Sequence, residues 1–221
     1  MTDYIVCGWY TPDYAKWAHP LRDNLDRLGI DHDFVEVEKL DGGWEHNTMR
    51  KPGQILAAMY RHPNRTIVFL DVDCAVLEPL DALAGINDDV AVHFRCKMLK
   101  DGTPRLNTRS GTLVINPTRK AAEFVAVWHN LSVNAPRGCV DQRTLPMAIA
   151  TTPGLSMHVL DVRYCAVPSD GASKPVILHD SASRATAKVP SFMRRLYHLA
   201  KRGQIGENGR APSSDGAISE A

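Results

Sequence analysis

No apolar stretch in this sequence is long enough to span a bilayer, and the N-terminus carries no segment of the signal-peptide kind. Cysteine is scarce in the pattern that matters. Cys7, Cys74, Cys96, Cys139 and Cys165 form an odd set without a C-x-x-C pair. That disfavours a disulfide frame or a zinc site and fits scattered reduced thiols in the cytoplasm. An excess of one charge is lacking too. The 26 Lys and Arg against 25 Asp and Glu leave a net charge of +1, so any attraction to nucleic acid or membrane must be local. What is present is ordinary globular material: 221 residues, 44% hydrophobic and 23% charged. That is enough for one good core, or at most two closely joined halves. The expectation is a soluble, intracellular α/β protein.

The chain is organised around Thr66–Leu77, TIVFLDVDCAVL. Thr66 to Leu70 is apolar and β-branched without alternation, the pattern of a strand buried on both faces. It runs into Asp71-Val72-Asp73, where positions i and i+2 set two carboxylates on one face and Val72 on the other. Interiors exclude carboxylates unless they are paired or bind a cation. A hard divalent ion, Mg²⁺ or Mn²⁺, satisfies both and leaves coordination sites for phosphate and water. The plainer alternative is that the two aspartates only open a loop.

Around this stretch the elements alternate. Tyr4–Trp9 reads as a strand. Thr11 caps a helix with Pro12 at its start, and Tyr14, Trp17, Leu21, Leu25 and Leu28 follow at helical spacing up to Gly29. Pro20 should kink or divide that helix. Phe34–Val37 is a second strand, which makes a β-α-β opening. Asp41 to Thr48 reads as a loop whose Trp44 plugs the core. Lys51-Pro52 opens a short helix, and Lys51 there either reaches an anionic ligand or is one more surface lysine. The chain pauses at Leu80–Ile86, then Val90–Phe94 forms a strand. Cys96 to Asn107 is a polar excursion and a candidate lid. Thr112–Ile115 is a strand, and Asn116-Pro117 starts a helix with Ala121, Phe124, Val125, Trp128 and Leu131 on its buried side. Asp141-Gln142 opens another helix, where Asp141 is either a ligand-facing carboxylate or an N-cap. Strands near Met157–Val162 and Val176–Leu178 follow, the last ending on His179.

The order Lys51-Pro52, strand-Asp71-Val72-Asp73, Ser110-Gly111-Thr112, Asp141-Gln142 and His179 resembles nucleotide-diphospho-sugar glycosyltransferases of the GT-A fold. It is most similar to small bacterial and phage members with a Trp-x-x-Asn loop (Trp44, Asn47) and a late His-x-x-x-Ser-Arg segment (His179, Ser183, Arg184). The resemblance covers about the first 185 residues. It departs at Arg109, where members often carry Asn. It implies a single GT-A-like domain over 1–202, with a mainly parallel central sheet and helices on both faces. Residues 1–105 would form the nucleotide-binding half and 106–185 the acceptor half. The implied reaction moves a sugar from a nucleoside-diphosphate donor to a hydroxyl.

In that reading Asp71, Asp73 and His179 hold Mn²⁺ (or Mg²⁺), and Lys51 and Arg184 add charge near the phosphates. Tyr10 and Thr11 meet base and ribose, and Asn47 belongs to the donor-binding loop. Ser110 and Gly111 let the backbone approach the sugar. Asp141, with Gln142 beside it, faces the sugar or the acceptor hydroxyl. His179 otherwise simply ends a strand. Competing readings are a haloacid-dehalogenase-type phosphatase, whose Asp-x-Asp usually lies near the chain start, a non-catalytic sugar-nucleotide or nucleic-acid binding module, and a purely structural domain.

Beyond the site, Pro190 to Arg202 reads as an amphipathic helix with Arg194, Arg195, His198, Lys201 and Arg202 on one side and Lys188 upstream. Its basic side (residues 186–202) either is simply solvated or draws in an anionic acceptor: a lipid-linked sugar at the membrane, or modified nucleic acid. A glycan acceptor is the third possibility. Residues 203–221, rich in Gly, Ser and Pro, are expected to be a disordered tail.

Overall fold

The computed structural model describes residues 4–170 and 172–179. Arg184, the basic helix of 186–202 and the tail of 203–221 lie outside the described residues. The strands are β1 (Tyr4–Tyr10), β2 (His32–Glu36), β3 (Thr66–Leu70), β4 (Cys74–Val76), β5 (Val90–Met98), β6 (Pro104–Ile115), β7 (Met157–Val159) and β8 (Ile177–His179). The helices are α1 (Ala15–Arg27), α2 (Gly43–Thr48), α3 (Lys51–Arg61), α4 (Asp81–Ala84), α5 (Arg119–Val133) and α6 (Asp141–Thr151).

Six strands form one sheet in the order β2-β1-β3-β6-β5-β7, and β4 pairs with β8 in a separate two-stranded sheet. β6 alone runs against the other five strands, so the sheet is mainly parallel as expected. β3 is buried at all five positions, which is why its sequence shows no alternation. Its two faces feed two cores. Val68 and Leu70 join Leu21 and Leu25 of α1, while Ile67 and Phe69 join Ile55 of α3, Phe124 and Trp128 of α5 and Leu145 of α6. Helices therefore cover both faces.

α1 ends as its sequence demands. Gly29 takes φ +66, its N–H reaches Asp26 O, and the Ile30 N–H reaches Leu25 O. These two hydrogen bonds satisfy the last carbonyls at a residue without a β-carbon. Pro20 does not divide the helix, which runs unbroken from Ala15 to Arg27. Buried Asn24 on α1 grips β4 like a piece of strand: its amide donates to Val76 O (3.0 Å) and accepts from Val76 N (2.8 Å). β4 in turn pairs with β8, matching Cys74 to His179. A polar clamp on one helix thus helps to place the histidine.

Other expectations need correction. The 41–48 segment is not a plain loop with a core-plugging Trp. It contains α2, and Trp44 is 46% exposed while Asn47 is buried. A polar residue wins the interior here because its amide satisfies backbone groups that an indole could not. The stretch around Leu83 forms α4. α5 starts at Arg119, two residues past Pro117, because the Thr118 hydroxyl caps the Ala121 N–H (3.0 Å). The polar excursion is no loose lid. β5 and β6 continue through it as a paired ribbon from His93–Arg109 to Met98–Pro104.

Where the ribbon leaves the sheet, β6 breaks register. Val92 pairs with Leu113, but His93 pairs with Arg109, so Ser110, Gly111 and Thr112 have no partner on β5. On their other side the ladder to β3 continues, with Thr112 opposite Leu70 and Asp71 N–H donating to Gly111 O (2.9 Å). An interruption of this size re-aims side chains. It lies directly beside Asp71.

Candidate functional site

The end of β3, the break in β6, the first residue of α3 and the first residue of α6 meet at one point. Lys51, read as either surface or ligand-facing, is buried at 5% exposure. Its ammonium lies 2.8 Å from Asp71 Oδ1, 3.1 Å from Asp71 Oδ2 and 2.9 Å from Asp141 Oδ2. It also donates to Ser110 Oγ (3.1 Å) and Ser110 O (3.2 Å), and Ser110 Oγ donates to Asp141 Oδ2 at 2.6 Å. Burial opposes the charge on Lys51, but Asp141 and Asp71 outweigh it and raise the lysine above its usual range. Burial, helped by Asp141, pushes Asp71 up against the pull of Lys51. One ammonium is shared by two carboxylates, which leaves the trio one negative charge in excess.

Asp141 is the first residue of α6, not its cap. Val140 holds the cap position, and the carboxylate is turned to Lys51 and Ser110. Gln142 beside it is exposed, and only its backbone carbonyl is engaged here, by Thr108 Oγ1 (3.3 Å).

His179 is buried on β8. Thr112 Oγ1 donates its one proton to Tyr164 O (2.7 Å), so at 2.8 Å it accepts from His179 Nε2–H. That assigns the tautomer and leaves a lone pair on Nδ1. Burial first, then the charges of Lys51 and Arg109, lower the imidazole to about 3, so it is neutral. Gly111 makes room for it. A β-carbon there would stand 3.0 Å from His179 Nδ1, 2.9 Å from its Cε1 and 3.5 Å from Asp71 Oδ2. Gly111 is thus needed for the histidine as well as for any close approach of a ligand.

These residues suit a divalent cation: an excess negative charge, a second carboxylate two residues on, and an imidazole lone pair on the same side. The donor atoms of Asp71, Asp73 and His179 are not all within 4.8 Å of one another. Metal–ligand bonds of about 2.0–2.6 Å would require at least one to swing inward. Among the described residues the one group that meets that distance is Cys7, Asp33 and His62, on the β1–β2 side of the sheet. There Asp33 already accepts from Arg61 Nε (2.8 Å) and His62 Nε2 (2.9 Å).

The remaining expected residues are placed differently. Tyr10 is buried with Ala18 and Val72, its ring edge-on to His19. Thr11 does not cap through its side chain; the hydroxyl donates to Asp13 Oδ1 (2.6 Å). Asn47 uses its amide on Leu40 N, Leu40 O and Gly43 O, so it shapes the loop from within. Residue reading missed Tyr14. Burial raises its phenol first, and the charges of Asp73, Asp13 and Asp71 raise it further, while Trp44 acts the opposite way. Tyr14 therefore feels the charge of the carboxylates, and exposed Trp44 lies beside Tyr14. Thr112 stands out in sequence only as part of Ser-Gly-Thr, yet its hydroxyl sets the His179 tautomer.

No family model matches the chain, and no curated protein matches it in sequence. Solved structures do match. A glycosyltransferase involved in glycosylation of the major capsid of PBCV-1 has a TM-score of 0.66 at 13% identity, covering 89% of this chain and 98% of that one. The galactosyltransferase LgtC, solved with donor and acceptor sugar analogs, has a TM-score of 0.58 at 10% identity, over 90% of this chain and 95% of that one. The glycosyltransferase GlyE of Streptococcus pneumoniae TIGR4 has a TM-score of 0.57 at 13% identity, over 98% of this chain and 66% of that one. At such identities the likeness is one of fold, and that fold is the GT-A fold.

Proposed function

We propose that this protein is a metal-dependent glycosyltransferase that moves a sugar from a nucleoside-diphosphate donor to a hydroxyl acceptor. The observation that carries the reading is the shared ammonium: Lys51 between Asp71 and Asp141, with Ser110 closing the group. It puts one surplus negative charge at the carboxyl end of a central strand, where α/β folds bind ligands, in a fold that glycosyltransferases share. Asp71, Asp73 and Nδ1 of His179 would hold Mn²⁺ or Mg²⁺, with the imidazole favouring Mn²⁺. When bound, the ion offsets charge building on the departing diphosphate.

This chain's own residues supply the rest. Lys51 fixes the direction of both carboxylates before substrate arrives, so little reorganisation is needed during reaction. Asp141 presents a buried carboxylate held at Oδ2 by Lys51 and Ser110, which leaves Oδ1 to face sugar or acceptor. Exposed Gln142 can reach the same ligand. Tyr14 and Trp44 offer aromatic surface beside the aspartates for base or sugar. Arg184 is assigned to the diphosphate through the sequence resemblance alone. A phosphatase of the haloacid-dehalogenase type is not favoured, since the structural neighbours described are glycosyltransferases.

Asp73→Asn keeps the shape and removes one charge. It should abolish Mn²⁺-dependent binding of a nucleoside diphosphate, read by calorimetry, while the melting temperature without ligand stays put. Full turnover by this variant, or by wild type in excess chelator, would sink the metal-dependent reading.

A further inference from the structure

We propose that the β5–β6 ribbon is a docking surface for an anionic lipid–water interface. The register sorts its side chains into two faces. Cys96 opposite Leu106 and Met98 opposite Pro104 share one face, and Arg95 opposite Asn107 and Lys97 opposite Arg105 share the other. The apolar face is bare: Met98 is 61% and Leu106 65% exposed. On the polar face Lys97 and Arg105 stand directly across from each other, an arrangement that repels without an anion between or beyond them. Lys100 lies at the tip, and no ion pair of Lys97, Lys100 or Arg105 occurs among the described residues. The one acidic residue of the tip, Asp101, accepts from Thr103 N–H (2.9 Å) and closes the turn, where Gly102 takes φ +82.

Lysines on an exposed strand edge also keep strands of different molecules apart. That role needs charge alone and leaves the apolar face unexplained. An interfacial element needs both: an apolar face set a few ångströms into the acyl boundary, and long basic side chains reaching back to the phosphates. The charge commits the ribbon to an anionic surface. Its apolar face also runs toward the site, because Thr108, two positions below Leu106 on that face, bonds the carbonyl of Gln142. If the transfer reading holds, an acceptor hydroxyl carried on a lipid headgroup would arrive on the side of Asp141. The docking itself rests on the ribbon and not on that reading.

The test is flotation of the full chain, without donor or metal, with phosphatidylcholine vesicles containing about 30 mol% phosphatidylglycerol, and with pure phosphatidylcholine vesicles. Wild type should float with the anionic vesicles and not the neutral ones. Met98→Asp with Leu106→Asp should weaken binding at least tenfold. Lys97→Gln, Lys100→Gln and Arg105→Gln should each weaken it about fivefold at low salt. All variants should keep the wild-type melting temperature. Equal flotation with neutral vesicles, no flotation, or variants that float like wild type would overturn the proposal. So would a ribbon-dependent dimer in sedimentation, or ribbon-dependent binding to duplex DNA with none to vesicles. A chain that binds vesicles but transfers no sugar would leave this inference standing and remove the other.

Discussion

Two charged groups lie beside the sheet, one on β2 and one past the end of β3, and their balances are opposite. Near the start of β2, one carboxylate, Asp33, sits between the Arg61 guanidinium and the His62 imidazole, with Arg65 paired to Asp31 close by. At the end of β3, one ammonium, Lys51, sits between two carboxylates. Distances alone would choose the first as a metal site, since Cys7, Asp33 and His62 bring their donor atoms together. Charge favours the second, as the proposed function requires. Arg61 already neutralises Asp33, and burial followed by the charge of Asp33 pushes the Cys7 thiol up to about 12, away from the thiolate a metal needs. A cluster attracts a cation when its charge is short by one, and proximity of ligand atoms is a poor substitute for that count.

The comparison breaks most sharply at Lys51. Lys51→Met would leave buried Asp141 with only the Ser110 hydroxyl as partner, and half-buried Asp71 beside it without the ammonium. Losing one member of a buried ionic group typically costs about 3–5 kcal/mol. Urea unfolding should show a loss of this size, with part of it recovered when Asp141→Asn is added; a loss under about 1 kcal/mol would mean that the trio is not the anchor described. Next in size is Gly111→Ala. Its methyl would meet the imidazole at 2.9–3.0 Å, and overpacking of this kind costs about 1–3 kcal/mol. Thermal melting should register it. The Mn²⁺ needed for half-maximal nucleotide binding should rise as well if His179 is displaced.

The balanced end should respond least. Arg61→Gln removes a partly exposed partner, so the loss should stay within about 1 kcal/mol. It should fade at acid pH. Burial opposes ionisation of Asp33, but the bonds from His62 and Arg61 outweigh it and hold the carboxyl low. A depressed carboxyl adds stability that is full above the unfolded value of about 3.9 and fades as pH falls below it. Stability curves of wild type and Arg61→Gln should therefore differ above about pH 4 and converge in acid. Divergence toward acid would reverse the assignment.

The legible parts of the molecule were those whose cause is local. Thr66–Leu70 announces a buried strand by composition, and Asp71-Val72-Asp73 announces charge at its end; the sheet has both where expected. Gly29 marks its helix end in one residue. Lys51 was harder, because its burial is owed to partners 20, 59 and 90 positions away that no local window contains. Trp44 misled because size suggests burial, whereas Asn47 is interior for its three backbone bonds. In sequence the ribbon looks like an irregular excursion because Gly102 and Pro104 punctuate it and neither face is buried. The alternation of Cys96 and Met98 with Lys97 was the available signal. Fold and carboxylates were in the pattern, while the lysine that organises them was not.

The solitary reversed strand has a temporal consequence. β6 is inserted between β3 and β5, so the middle of the sheet is completed by a segment made after both of its neighbours. A chain emerging from the ribosome only as far as Met98 has β3 and β5 but nothing to join them, and Lys51 has met Asp71 without Asp141. Thr112 and His179, whose contact sets the tautomer, lie 67 positions apart. Contacts so distant reward the chain only after long loops have closed, which slows folding and leaves open strand edges in the interval. Synthesis past residue 115 is then the step that shelters β3, and the group around Lys51 and His179 is complete only when β8 arrives.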